Sequence, residues 1–296
     1  MKLLFVHAHF DDFEFTAAGT FELWRRAHPT VARRILISTD GAAGHHAMSR
    51  EATAARRWAE QQKAGALGGF EVRLLRDGSG SPFREGCLAQ SAGLLPALWK
   101  EIREFEPDYL FCPPIPVDPL AGVHVDHLDV AEAVRAVAYL VNVPHAYLPE
   151  YPEEGEGTAR AVRTPVILNT FDGYLAAGHR HDLAVDVGAV TDLMGDLAWC
   201  HESQLQEWLP WVDRHHMKAS PDAMAWREQY RGVISRRTRA LGLPAGRLYE
   251  VFQVTAWGAL PTLEGLTRDF PGLDRDASRL EALGERLDRW HEATGA

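Results

Sequence analysis

The feature that most constrains this chain is a short apolar run near its start that ends in polar residues. Residues 3–6 are apolar, and His9, Asp11 and Asp12 follow closely. An apolar run of this length, bounded by polar turn residues, is typical of a buried strand in a parallel sheet. Ligands of open α/β sheets bind beyond the carboxyl ends of such strands. The sequence therefore predicts a functional site at the turn after the first strand.

Composition and charge exclude several classes of partner. With 296 residues, 46% hydrophobic and 24% charged, the chain resembles an ordinary globular protein. Its formal net charge of −10, from 41 acidic and 31 basic residues, argues against nucleic acid and anionic membranes as main partners. Its 3 cysteines are far apart, which favours neither disulfides nor a cysteine metal site, so we expect a reducing, cytoplasmic compartment. The first apolar run is too short for a signal peptide, and no run is long enough for a membrane span.

Apolar runs and helical patterns alternate along the first part of the chain. After the first strand, strands are predicted at residues 33–38, 70–75, 109–112 and 165–171, and helices at 15–27, 50–66, 94–105 and 128–141. This alternation favours an α/β fold with a Rossmann-like, mostly parallel sheet and helices on both faces. The turn after the first strand reads His-Phe-Asp-Asp and not GxGxxG, which removes the main support for a nucleotide-binding dehydrogenase.

The later part of the chain is expected to complete the same domain. We predict a single domain over residues 1–296, with an α/β core over 1–175 that holds the site and a mainly helical C-terminal extension over 176–296. In the extension, helices are predicted at 190–209, 221–241 and from 274, and strands at 183–187 and 248–256. The acidic stretch 147–162 is predicted to be a surface loop, which together with residues after 204 shapes a pocket. His179 and His181 are expected at the surface.

Two clusters of metal-binding residue types share one spacing. His9 and Asp12 are three positions apart, as are His124 and His127. If Asp12 and His127 each lie on the first turn of a helix, their side chains can project back over a strand end. Catalytic zinc sites commonly use three histidine or carboxylate ligands and one water. The adjacent Asp11 and Asp12 allow one carboxylate to bind the metal and the other to accept a proton.

Each cluster also has a simpler interpretation. Carboxylates favour helix N-termini, so the Asp11–Asp12 pair taken alone is better explained as helix capping. His124 and His127 taken alone are equally well explained as polar residues in a first helical turn. Both clusters fall at inferred strand ends, which favours a metal site over coincidence.

Taken in order, these motifs resemble the PIG-L/LmbE-like family of metal-dependent N-deacetylases. Ala8-His9-Phe10-Asp11-Asp12 stands where the family has Ala-His-Pro-Asp-Asp, and His124-Val125-Asp126-His127 corresponds to His-Pro-Asp-His. Other family elements follow in order at residues 39–44, 50–51, 77–78 and 201–204, with a weaker echo at 249–252. The resemblance covers roughly residues 1–204. Phe10 and Val125 replace prolines that have no chemical role, so the metal assignment survives.

The resemblance implies a role for each matching residue. His9, Asp12 and His127 would bind zinc, or alternatively ferrous iron. Asp11 would be the general base on the metal-bound water and later the acid to the leaving amine.

The resemblance also implies roles around this centre. His124 would polarise the amide carbonyl or stabilise the oxyanion, and Asp126 would orient or charge the His124 imidazole. Arg50 and Asp77 match positions that contact a sugar-like substrate, and His201 would be a further pocket residue.

The implied function is hydrolysis by a zinc-dependent N-deacetylase. Such an enzyme removes an N-acetyl or similar acyl group from an amino sugar or amino-sugar conjugate, a small-molecule substrate. An amidase acting on a larger acyl group or a thiol conjugate would use the same site. A non-catalytic metal- or sugar-binding protein is the alternative from another class. The sequence is compatible with a homo-oligomer.

Overall fold

The architecture is built on one seven-stranded sheet. The structure is a computed structural model that describes residues 1–143, 145–147, 161–212 and 217–295. The described strands follow the order β3-β2-β1-β4-β5-β7-β6 across the sheet. In chain order they are β1 (Lys2–His7), β2 (Ala32–Ile37), β3 (Glu71–Leu74), β4 (Tyr109–Cys112), β5 (Val166–Asn169), β6 (Leu183–Asp186) and β7 (Tyr249–Val254).

The strand order of the sheet reverses between β1 and β4. β1 pairs in parallel with β2 on one side and with β4 on the other, and β2–β3 and β4–β5 are also parallel. β7 runs antiparallel to both β5 and β6. The predicted mostly parallel, Rossmann-like sheet is therefore confirmed. The carboxyl ends of β1 and β4 form a topological switch point, where ligands bind in such sheets.

Helices cover the sheet. They are α1 (Asp12–Thr16), α2 (Ala18–Ala27), α3 (Arg50–Gly68), α4 (Leu94–Phe105), α5 (Val125–Leu140), α6 (Thr191–Trp199), α7 (Leu209–Val212), α8 (Ala223–Ala240), α9 (Leu263–Asp269) and α10 (Leu280–Thr294). A π-helix, Ser203–Trp208, lies between α6 and α7. Within the described residues, no helix combines the length and apolar character that a membrane span requires.

The core lies on both faces of the sheet because successive strand side chains alternate in direction. On one face, Phe5 of β1 packs edge-on against Phe21 of α2, in the larger apolar cluster. On the other face, Leu4 and Val6 of β1 share a second cluster with residues of α4 and α5. The predicted helices on both faces are therefore present.

The extension contributes two strands as well as helices. β6 and β7 both join the sheet of the core. Most of the predicted acidic loop at 147–162 lies outside the described residues. The prediction of surface positions for His179 and His181 is wrong, because these side chains are 8% and 4% exposed. His179 packs against the ring of Phe171, and His181 Nε2 contacts the carbonyl oxygen of Ala277.

Candidate metal centre

Two neighbouring strand ends deliver the two sequence clusters to one place. β1 ends at His7, and Asp12 is the first residue of α1. β4 is followed by the segment that leads to α5, which begins at Val125, and His127 lies in its first turn. Since β1 and β4 are paired in parallel, their following turns meet at the same sheet edge. The expected first-turn placement of Asp12 and His127 is what the structure has.

His9, Asp12 and His127 converge on a common point. His9 Nδ1 lies 3.6 Å from Asp12 Oδ2 and 3.3 Å from His127 Nε2. His127 Nε2 lies 3.5 Å from Asp12 Oδ1. Ligands about 2.1 Å from one zinc ion, at the corners of a tetrahedron, lie about 3.4 Å apart. The three side chains therefore fit a single tetrahedrally coordinated ion.

Carboxylates orient both imidazoles. His127 Nδ1 lies 2.8 Å from Asp172 Oδ2, and His9 Nε2 lies 3.1 Å from Asp126 Oδ2. An ionised carboxylate only accepts hydrogen bonds, so each of these imidazole nitrogens donates. The lone pairs of His127 Nε2 and His9 Nδ1 are then left for a ligand. This carboxylate–histidine arrangement is the usual outer shell of a protein metal site.

Two other sets of nearby ligand atoms overlap with this one. His7, Asp12 and His127 form one set, and the other consists of His9, Glu85, His124 and Asp126. In the first set, His7 Nδ1 is 2.5 Å from Asp12 Oδ2 and is engaged in a hydrogen bond with it. In the second, Asp126 already holds His9 and accepts the backbone N–H of Gly86. We therefore favour His9, Asp12 and His127, because each keeps an outer partner while a metal-binding atom faces the common point.

The carboxylates of this centre are ionised, as a cation site requires. Burial raises the pKa of Asp12, but His7 and His127 outweigh it and hold that pKa well below its usual range. Burial lowers the pKa of His9, but hydrogen bonds to Asp12 and Asp126 raise it overall to about 10. A bound metal ion would therefore displace a proton from His9 Nδ1. The buried charges stabilise one another, which is the electrostatic setting of a polar centre in a largely apolar protein.

Asp11 is held beside the centre and does not cap a helix. It occupies the N-cap position of α1 with φ 88° and ψ −20°, yet its side chain makes no capping hydrogen bond. The helix-capping interpretation therefore does not hold for Asp11. Arg57 Nη2 lies 3.5 Å from Asp11 Oδ1. Burial raises the pKa of Asp11 to about 6, with Arg57 opposing the rise and Asp12 adding to it.

His124 faces the cavity as a neutral donor. Its Nδ1 accepts the backbone N–H of Asp126 at 3.2 Å, so the ring hydrogen lies on Nε2. Burial lowers the pKa of His124 to about 4, and His9 and His127 add to this effect. The expected pairing of Asp126 with His124 differs from the geometry: Asp126 Oδ2 is 4.0 Å from His124 Nδ1 but 3.1 Å from His9 Nε2. The buried Asp126 carboxylate turns inward to His9, while His124 caps α5.

The three predicted substrate contacts are not brought together with the metal-binding cluster. Arg50 begins α3 and lies 3.6 Å from Asp40 in an ion pair. The Asp77 carboxylate accepts hydrogen bonds from Ser79 and Ser81 within its own turn. His201 is fully buried, 3.3 Å from Glu14. In each case a nearby partner occupies the side chain that was expected to contact substrate.

Several residues that contact the centre were not predicted from the sequence. Asp172 follows β5, so the strand-end rule that found His9 would also have indicated it. Arg57 comes from the middle of α3, and its Nη2 donates to the carbonyl oxygen of Phe10 at 2.9 Å. Glu85 lies 3.6 Å from His9 Nε2 and comes from a loop. No local pattern marks Arg57 or Glu85, because their contacts depend on the tertiary fold.

A cavity of about 930 Å³ opens from this centre. His9, Asp11, Asp12, His124 and His127 line one part of it. The π-helix, α7 and α8 line another part, so residues after 204 shape the pocket as expected. The centre is therefore accessible to a small molecule, and π-helical turns are frequent at functional sites.

Three solved structures share this fold. N,N′-diacetylchitobiose deacetylase from Pyrococcus horikoshii has a TM-score of 0.63 at 19% identity, covering 86% of this chain and 84% of that chain. The 4-carboxy-2-hydroxymuconate hydratase GalB from Pseudomonas putida has a TM-score of 0.58 at 18% identity, covering 86% and 95%. The A40926 pseudoaglycone deacetylase has a TM-score of 0.52 at 14% identity, covering 87% and 98%. At such low identity these likenesses establish the fold alone.

A family comparison is more specific. None of the curated proteins compared matches the sequence of this chain. Residues 4–138 match the family model described as PIG-L, GlcNAc-PI de-N-acetylase. That range contains the strand-end motifs around His9 and His124. Residues 4–138 of this chain therefore resemble the PIG-L family.

Proposed function

We infer that this protein is a metal-dependent deacetylase that hydrolyses the N-acetyl, or a similar acyl, amide of an amino sugar or amino-sugar conjugate. The observation that carries this proposal is the convergence of His9 Nδ1, Asp12 and His127 Nε2 at 3.3 to 3.6 Å from one another. The family match and the deacetylases among the structural relatives support it.

The donor set fits a divalent metal ion such as zinc or ferrous iron. His9, Asp12 and His127 would hold the ion, with Asp126 and Asp172 fixing the two imidazoles. When bound, the ion supplies Lewis acidity, which polarises a carbonyl and lowers the pKa of water.

Asp11 would move the proton in this reaction. Its carboxylate accepts a proton from the attacking water and passes it to the amide nitrogen as the carbon–nitrogen bond breaks. Water and the amide are thereby converted into a carboxylic acid and an amine. Asp11 lines the cavity and makes no capping bond, so its oxygens are available for this role.

His124 would stabilise the negative charge that develops on the carbonyl oxygen. Its Nε2–H points away from the backbone N–H that Nδ1 accepts, and its side chain lines the cavity. A preorganised donor of this kind contributes to acyl-transfer catalysis by stabilising the oxyanion.

The proposal is tested by separating metal content from turnover. Four proteins are purified without added metal: wild type, Asp11→Asn, His127→Ala and His28→Ala. His28→Ala changes an exposed histidine and serves as the control. Metal is measured by elemental analysis, and amine release is measured from N-acetylglucosamine and its conjugates. We expect about one zinc or iron per chain in wild type and the control, and little metal in His127→Ala. Asp11→Asn should retain its metal but have at least about 100-fold lower activity.

Four results would contradict parts of this proposal. Full activity in Asp11→Asn removes the proton-transfer role of Asp11. Metal content unchanged in His127→Ala removes the ligand assignment. Binding of amino sugars without any amine release favours the non-catalytic binding protein, and release only from larger acyl amides favours the amidase.

A further inference from the structure

The cavity continues beyond the metal centre as an apolar arm. Much of its wall comes from α1, the segment after β5, and the chain after residue 204. Its apolar lining residues are Phe15, Phe171, Leu209, Val212, Met217 and Val233. A simple N-acetyl group needs only the space beside the metal, so the arm has room for another part of the substrate.

The Arg237 guanidinium lies on the wall of this arm. Arg237 Nη1 donates to the carbonyl oxygen of Phe15 at 2.5 Å, and Arg237 Cζ lies 4.3 Å from the ring centre of Phe171. Burial lowers the pKa of Arg237, although an arginine stays charged at neutral pH. Donation to one carbonyl uses one of its five N–H groups.

No carboxylate among the described residues forms an ion pair with Arg237. The carboxylates that influence it are Glu250 and Asp172. Glu250 accepts the backbone N–H groups of Gly19 and Thr20, and Asp172 accepts from His127. Both anions are therefore committed elsewhere, and a partly buried cation that lacks an ion-pair partner is stabilised when an anion joins it.

The other arginines of α8 show that this is not a general property of the helix. Arg227 pairs with Asp196 at 2.6 Å, and Arg231 pairs with Asp192 at 2.8 Å, both outside the cavity. Arg236 lies next to Arg237, also lines the cavity, and has no ion pair among the described residues. Arg239 is exposed outside the cavity and donates to Ser235 Oγ. The two arginines of α8 that line the cavity therefore have no ion pair among the described residues, in a chain whose net charge is −10.

Arg237 also contacts two segments that lie next to the metal centre. Phe15 lies in the same short helix as Asp12. Phe171 precedes Asp172, which holds His127. A small molecule bound at the centre can therefore extend along the arm to Arg237.

We propose that Arg237, assisted by Arg236, binds an anionic group of the substrate. The substrate class is then an N-acylated amine in which an apolar or aromatic part carries a carboxylate or a phosphate. The planar guanidinium suits both groups, because each offers two oxygens to its fork of N–H donors. Which bond is cleaved rests on the proposed function, whereas binding of the anion does not.

The test measures binding to the zinc-loaded full chain by titration calorimetry. The probes are phenyl phosphate, phenylacetate and the neutral 2-phenylethanol. Wild type is compared with Arg237→Gln and with Arg231→Gln, a matched control on the same helix whose side chain lies outside the cavity. We expect at least one anion to bind wild type and Arg231→Gln at least about tenfold more tightly than the alcohol. This preference should fall about tenfold or more in Arg237→Gln, and the stronger anion identifies carboxylate or phosphate.

Two further variants keep the test decisive if Arg237→Gln does not fold. Arg237→Lys keeps the charge and should retain most of the preference for an anion, and Arg236→Gln should lose several-fold of it. Equal binding of anion and alcohol to wild type overturns the proposal. If anion binding is unchanged in Arg236→Gln and in every Arg237 variant that folds, the anion binds to the metal. This result also overturns the proposal.

A parallel assay separates this inference from the proposed function. Amine release is compared for N-acetylglucosamine, its 6-phosphate and N-acetylmuramic acid, and the ratio of kcat/KM between anionic and neutral compounds is the readout. A preference for an anionic compound that falls in Arg237→Gln, or in Arg236→Gln if Arg237→Gln does not fold, supports the inference. If no compound is hydrolysed but anion binding depends on Arg237, the proposed function fails while the anion site stands.

Discussion

At the scale of single residues, the candidate metal centre contains two imidazoles, and a carboxylate accepts a hydrogen bond from one nitrogen of each. Asp126 holds His9 and Asp172 holds His127, each leaving one nitrogen directed at the common point. The fixed rings lose little rotational freedom when a ligand binds, because their orientation is already set. Neither pairing joins neighbours in sequence, so the centre depends on the whole sheet for its geometry.

His179 should make the stability of the protein sensitive to acid. Burial lowers the pKa of His179 to about 4, and neither ring nitrogen has a hydrogen-bond partner among the described residues. Between about pH 6.5 and pH 4 the unfolded chain binds more protons at this residue than the folded chain, so stability falls as the pH falls. From pH 7 to pH 5, the wild type should lose roughly 2 kcal/mol more of its free energy of unfolding than His179→Gln.

Urea unfolding at the two pH values measures this difference. His28→Gln, at an exposed histidine, is the matched control and should follow the wild type. A His179→Gln variant whose pH dependence parallels that of the wild type would show that His179 is protonated in the folded protein without cost.

The proximity of residues could be predicted from sequence where each lies in a segment that leaves the carboxyl end of a strand. His9, Asp12, His124 and His127 could be grouped because the carboxyl ends of parallel neighbours share one sheet edge. Arg57 could not be found in this way, since it reaches the turn from the middle of a helix. The expected substrate contacts stay predictions, although Asp77 already accepts hydrogen bonds within its own turn.

At the scale of elements, β7 anchors the helix that follows the metal-binding turn. The Glu250 carboxylate accepts the backbone N–H of Gly19 at 2.9 Å and of Thr20 at 2.7 Å, at the start of α2. These donors have no partner within the helix, and a negative charge there also complements the helix dipole. The short sequence echo around Glu250 therefore has a structural meaning.

Glu250→Gln should destabilise the protein. An amide offers one acceptor oxygen, and its NH₂ group would face the second backbone donor, so we expect a loss of about 1–3 kcal/mol in the free energy of unfolding. Chemical denaturation measures the loss, with Glu281→Gln on an exposed position as control. Equal stability of the two variants would mean that water replaces the lost acceptor.

Secondary structure was predictable where apolar periodicity was uninterrupted. β4 and α4 have the predicted bounds, Tyr109–Cys112 and Leu94–Phe105. The prediction of one continuous helix over residues 190–209 was wrong, because α6 ends at Trp199 and a π-helix begins at Ser203. Ser203 donates to the buried Glu60 there, a contact from a distant helix that residue periodicity does not encode.

At the scale of the whole molecule, the two parts of the chain divide the cavity between them. The family match ends at residue 138, and the described part of the chain after that point supplies Asp172, the π-helix, α7 and α8 to the wall. Tyr230 of α8 donates to the carbonyl oxygen of Glu14 in α1, so the later part also holds the helix that begins with Asp12. The described lining of the cavity is therefore divided between the matched region and the part of the chain that follows it.

Zinc should stabilise the folded chain. A ligand that binds only the folded state adds about 2.7 kcal/mol when its free concentration is 100 times Kd. We expect Tm to rise by several degrees on adding zinc to metal-free wild type, and by much less for His127→Ala. Scanning calorimetry measures both, and an equal rise in the two proteins would indicate zinc binding elsewhere.

If Asp11 transfers the proton as proposed, its backbone conformation places activity and stability in opposition. A left-handed φ of 88° is unfavourable for any residue with a side chain, and the Asp11 carboxylate is buried beside Asp12. Asp11→Gly should relieve both costs and raise the free energy of unfolding by about 1 kcal/mol, measured in urea, while abolishing turnover. A library of variants selected for heat tolerance alone would therefore drift toward inactive proteins at this position, and directed evolution of this scaffold has to select for turnover in every round.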